Sequence, residues 1–89
     1  MEHLRFEDWG RIVTELERFD PPEIDIEGDS VRLGFDGAHL EISRDGGFTA
    51  GMALHEVSGD RAETVVVDHE ADAVTLVGES VEYTFRRPG

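Results

Sequence analysis

Two periodicities divide the chain. From Phe6 to Phe19, apolar residues recur at three- and four-residue steps: Phe6, Trp9, Ile12, Val13, Leu16 and Phe19. That spacing predicts an amphipathic helix over 6–19 with one buried stripe. Glu7 and Asp8 fall in its expected first turn, where the helix dipole favours acids. Arg11 follows Glu7 at the four-residue spacing of a favourable pair. Gly10 is expected to let a strand approach closely. Pro21-Pro22 ends the helix.

Beyond Pro22 the period changes to two. Alternation predicts strands over 23–27, 30–35, 38–43, 48–56, 63–69, 73–77 and 80–86, separated by turn residues such as Asp36-Gly37 and Asp45-Gly46-Gly47. A two-residue turn at Asp36-Gly37 pairs Leu33 with Leu40 and Val31 with Ile42, and one at Gly28-Asp29 pairs Ile26 with Val31. A three-residue loop at Asp45-Gly46-Gly47 pairs Ile42 with Ala50 and Leu40 with Met52, with Gly47 in the left-handed region. Turns at Glu70-Ala71 and Gly78-Glu79 pair Val67 with Val74, Leu76 with Val81 and Val74 with Tyr83.

The expected fold is a single α+β domain over 1–89. One N-terminal amphipathic helix packs on a strongly curled antiparallel β-meander of about seven strands, a partly open barrel. Seven strands side by side span roughly 29 Å, and a helix is only about 10–12 Å across. The apolar face must therefore curl or be covered by a second chain, so a homodimer is expected.

Charge alters the picture. Acidic residues number 21 against 8 basic ones, a net −13, and every basic residue is arginine. Like charges at that density destabilise a small folded chain unless salt screens them. Acid-rich, lysine-free and cysteine-free, the composition resembles that of small uncharacterised proteins of halophilic archaea. The resemblance covers the whole chain and implies a salt-rich environment, in which an acidic surface is ordinary. No functional motif accompanies it. Direct nucleic-acid binding is not expected, because no basic stripe is visible and phosphate affinity falls with salt. The longest aliphatic run is Val65-Val66-Val67, too short to span a bilayer. Met1-Glu2-His3 lacks the pattern of a secretory signal, so a cytoplasmic location is expected.

Candidate chemistry is sparse. Without cysteine there are no disulfides or thiolate sites. The predicted registers place Arg32 opposite Glu41, Gly34 opposite His39, Glu41 opposite Gly51 and His39 opposite Ala53 on the solvated sheet face, with His55 nearby. Arg32, His39, Glu41 and His55 form the candidate surface. It reads as a His-Glu-His metal site, as a shallow pocket floored by Gly34, Gly51 and Ala53, or as ordinary solvated residues, and the last reading is preferred. Asp68-His69-Glu70-Ala71-Asp72 reads as a hydrated hairpin tip, too short for a calcium loop. Arg86-Arg87 reads as a partner contact or a frayed tail. No catalytic residue, cofactor or metal ligand is assigned. The sequence therefore points to a non-catalytic, self-associating interaction module. A small-ligand-binding half-barrel stands as the alternative, and a metal-dependent enzyme comes third.

Overall fold

The alternating segments become strands, but they divide between two sheets. The structure is a computed structural model that describes residues 2–52 and 55–87, with the side chain of His55 outside the described part. The chain opens with β1 (Glu2–Arg5), a 3-10 turn (Phe6–Asp8) and helix α1 (Trp9–Arg18). Then follow β2 (Glu23–Ile26), β3 (Ser30–Phe35), β4 (Ala38–Ser43), β5 (Phe48–Met52), β6 (His55–Gly59), β7 (Thr64–Asp68), β8 (Ala73–Val77) and β9 (Glu82–Arg86). One antiparallel sheet has the order β2-β3-β4-β5-β6 and the other β1-β7-β8-β9.

The α+β class is as expected, and the single curled meander is not. The described residues form nine strands in two sheets without a closed barrel. Two short strands account for the difference. β1 offers one buried side chain, Leu4, so no alternation announces it, yet it pairs with β7 across the whole chain. β6 lies partly inside the segment expected as one strand over 48–56, of which Ala53 and Leu54 lie outside the described residues.

The sheets part between β6 and β7. There Arg61 adopts φ 60°. The Ala62 amide donates to the Gly46 carbonyl at 3.1 Å, and the Glu63 amide donates to the Val77 carbonyl at 2.7 Å. Two glycines hold this crossing. A Cβ on Gly46 would lie 2.6 Å from the Ala62 oxygen, and one on Gly78 would lie 2.5 Å from the Arg61 oxygen. Neither contact is tolerable, so each turn needs glycine where the connecting backbone passes.

Registers within the hairpins are largely as the alternation dictates. Ile24 pairs with Leu33, Ile26 with Val31, Leu33 with Leu40, Val31 with Ile42, and Val67 with Val74. Two hairpins slip by one turn position. The β4–β5 loop has three residues but occupies Arg44-Asp45-Gly46, so Ile42 pairs with Phe48 and Leu40 with Ala50. Gly46 (φ 97°), and not Gly47, takes the left-handed conformation. In β8–β9 the Gly78 amide donates to the Val81 carbonyl at 2.7 Å, which moves the turn to Glu79-Ser80. Leu76 then pairs with Tyr83 and Val74 with Phe85. Both slips change the pairing by two residues, so every side chain keeps its face.

The helix and both sheets enclose one core. Ile12 and Leu16 from α1 join Leu33, Leu40 and Ile42 from one sheet and Leu4, Val65, Val74 and Phe85 from the other, all essentially solvent-free. Burying each such side chain contributes about 1.5–3 kcal/mol. Phe48 stacks on Tyr83 with centroids 5.8 Å apart, joining the sheets, and its ring also covers Gly59 of β6. The second sheet supplies the cover that one helix could not. Coverage thins at the margins of the wider sheet, where Ile24, Ile26, Met52 and Val57 remain 37–47% exposed. Gly10 has open space beside it, so no strand approaches there. Arg11 contacts Glu2 of β1 at 3.6 Å in place of the expected Glu7. No helix among the described residues is long and apolar enough to cross a membrane.

Candidate functional site

The outer face of the five-stranded sheet carries the residues singled out from the sequence. Arg32 pairs with Glu41 and Gly34 with His39, as expected. The shifted β4–β5 register then sets Glu41 opposite Thr49 and His39 opposite Gly51, in place of Gly51 and Ala53. Among the described residues no ion pair joins Arg32 to Glu41 within 4.0 Å, although their backbones are in register. His55 pairs with Met52, and its side chain lies outside the described part.

Gly51 does not floor an open pocket, and Gly34 lines a surface hollow with Glu23, Asp25 and Arg32. The His39 imidazole lies directly over Gly51, where a Cβ would collide with the ring. Glu23 leans over Gly34 in the same manner, its own Cβ 3.3 Å from where a Cβ on Gly34 would stand. Each glycine is thus covered by the neighbouring strand's side chain. Among the described residues, no three His, Asp or Glu side chains come together in a way that could hold a metal ion.

A different polar cluster is built at the end of α1. Glu15 is buried, on the same side of the helix as Ile12 and Leu16. Its Oε1 accepts from His69 Nε2 at 2.9 Å, and its Oε2 accepts from Arg18 Nη1 at 3.0 Å. The His69 hydrogen bond holds the Glu15 carboxyl below its ordinary range; burial opposes this, and the Arg18 charge reinforces it. Asp68 fixes the loop that carries His69, its Oδ1 accepting from the Glu70 and Ala71 amides, both at 3.1 Å. Asp72 closes that loop with φ 52°.

Arg87 completes the cluster from the other end of the chain. Its Nη1 donates to the Phe19 carbonyl at 2.7 Å and its Nη2 to the Asp20 carbonyl at 2.8 Å. The guanidinium also lies over the Phe19 and Phe35 rings, 5.7 and 5.4 Å from their centroids. The residue read as a partner contact or a frayed tail therefore caps the carbonyls at the C-terminal end of α1, where cationic donors are favoured.

Carboxylate-bound imidazoles serve as general bases where a nucleophile stands beside the free ring nitrogen. Here His69 makes no other side-chain hydrogen bond among the described residues. None of the four surface hollows described is lined by Glu15 or His69. The arrangement is a clasp between helix and loop. Its signal in the sequence was Glu15 itself, a carboxylate on the apolar side of a helix, which requires a partner.

Those hollows hold about 300–460 Å³ each and lie at turns and strand edges. The two largest are lined by Asp29, Ser30, Ser43, Arg44 and Asp45, and by Pro22, Glu23, Ile24, Asp25, Arg32 and Gly34. None opens between α1 and the sheets. No family model matches the chain, and neither a curated protein nor a solved structure matches it.

Proposed function

We propose that the protein is a non-catalytic interaction module that associates with a second copy of itself in a salt-rich cytoplasm. The observation that carries this reading is the filled interior. Helix and sheets meet through side chains with almost no solvent contact, and the hollows lie elsewhere. A ligand-binding half-barrel would need a cavity of about 300 Å³ or more beside the helix. With its interior occupied, the molecule offers its outer surfaces for recognition. The partly exposed Ile24, Ile26, Met52 and Val57 add to that reading, since an apolar margin gains by being covered. The salt-rich setting rests on the net charge of −13 and the lysine-free basic residues.

Light scattering in molar salt tests the proposal directly. A self-associating chain gives at least twice the 9.9 kDa protomer mass. A mass of one protomer at every concentration up to about 100 μM, weaker than a specific dimer requires, overturns it.

A further inference from the structure

The four-stranded sheet turns a second face away from the core. Register places Thr64, Val66, Thr75, Val77 and Thr84 together on that face, next to one another across β7, β8 and β9. None of them belongs to the core cluster. In a chain of which 33% is charged, five adjacent outward positions without a charge are conspicuous. The outer face of the other sheet differs, presenting Glu23, Asp25, Glu41 and Glu56 against Arg32 alone.

Charges return at the rim, and they alternate in sign. Arg5 and Glu82 stand at opposite ends of one row, linked through Thr64 and Val77. Asp68 and Arg86 end the row of Ala73. Two positive and two negative side chains thus occupy alternating corners around a neutral centre. This pattern complements itself when one face is laid on another about a two-fold axis. With the axis along the strands, Arg86 meets Asp68 of the second copy and Arg5 meets its Glu82. With the axis across the strands, Arg86 meets Glu82 of the second copy. Arg5 also lies 3.6 Å from Glu7, but both side chains are about three-quarters exposed and that contact exchanges readily.

We propose that this face of β1, β7, β8 and β9 is the surface on which two copies of the chain pack, sheet against sheet. The inference rests on the self-association reading and names its surface. The argument is electrostatic. Two molecules of net charge −13 repel, and they approach at least cost where the local charge is balanced. Faces rich in β-branched residues also stack at the roughly 10 Å spacing of packed sheets.

Sedimentation velocity on the full chain, at 0.15 M and 1 M salt, tests the surface with three variants. Val66→Glu places a charge at the centre, and Arg86→Glu makes the rim wholly acidic apart from Arg5. Ser58→Glu charges an exposed position on the outer face of the other sheet and serves as the comparison. The proposal expects a wild-type dimer whose Kd rises at least about tenfold in Val66→Glu and Arg86→Glu, with Ser58→Glu unchanged. Arg86 is exposed, so its variant should keep the wild-type circular dichroism and melting curve. A wild-type dimer that survives Arg86→Glu and Val66→Glu intact overturns this surface and leaves self-association standing. A monomeric wild type overturns both.

Discussion

Glu15 and His69 stand 54 residues apart in the chain, and their side chains meet at 2.9 Å. The bond ties the buried side of α1 to the loop between β7 and β8, so helix and sheet share a part-buried polar contact at the margin of the core. The contact lowers the Glu15 pKa, which fixes the sign of its effect on stability. A carboxyl with a depressed folded-state pKa stabilises the fold above its unfolded value, roughly pH 4.3. That contribution disappears as pH falls through the folded value. Glu15→Ala should therefore cost about 1–2 kcal/mol at pH 7, toward the low end for a hydrogen bond to a charged group because Arg18 and His69 are partly exposed. The difference from wild type should shrink below about pH 4. Urea denaturation of both proteins at neutral and acid pH in molar salt measures it. A gap that stays constant with pH would show that Glu15 acts through packing alone.

The crossing between the sheets makes a second prediction. Gly46 combines φ 97° with a carbonyl oxygen 2.6 Å from where a Cβ would stand. Gly46→Ala should destabilise by about 2–4 kcal/mol, through backbone strain and displacement of the Ala62 peptide. Gly47 has no positive φ, and a Cβ there would first meet Asp45 Oδ1 at 3.2 Å. Gly47→Ala should cost less than about 1 kcal/mol. The reverse order in denaturation midpoints would place the left-handed residue of the loop at Gly47.

That contrast shows which kind of information the sequence carries. Alternation reports which face a side chain takes, and Val31, Leu33, Leu40 and Ile42 all lie where it put them. It reports exact register less well, because a slip of two residues preserves the faces. The β4–β5 and β8–β9 turns each moved for that reason, and in each a glycine now meets the Arg61–Ala62 backbone. β1 was invisible for want of a second buried residue. The division into two sheets follows from that crossing, which no local pattern marks. On the outer face, the Arg32–Glu41 and Gly34–His39 pairings were legible, and the cover that His39 gives Gly51 was not. Glu15 was not singled out, although an acid on the apolar side of a helix is a signal that the sequence carries. Its partner was not legible, because pattern within a segment says nothing about a contact between segments.

Arg87 supplies a third prediction. It donates from two nitrogens to two different carbonyls while lying over the Phe19 and Phe35 rings. Lysine keeps the charge but lacks the planar fork. Arg87→Lys should lower stability by about 1–2 kcal/mol, close to the effect of Arg87→Ala. If lysine restores the wild-type melting temperature, charge alone is what the end of α1 requires.

Salt provides the remaining prediction. Twenty-one acids against eight arginines leave −13 on a molecule with a radius of gyration of 11.6 Å. The ion pairs described offset little of this, since two of the four join well-exposed side chains and the other two share Glu15. Screening by solvent ions is then the main relief: the Debye length is about 3 Å at 1 M and about 10 Å at 0.1 M. Lowering potassium chloride from 1 M to 0.1 M should reduce the melting temperature by at least about 5 °C, equivalent to roughly 1 kcal/mol in a domain of this size. An uncharged osmolyte at matching osmolality should not restore it, which separates screening from exclusion of solute at the surface. Neutralising Glu23, Asp25 and Glu27 to their amides, three neighbouring exposed acids on or beside β2, should flatten the salt dependence. A melting temperature indifferent to salt in the wild type would remove the physical basis for placing this chain in a saline environment.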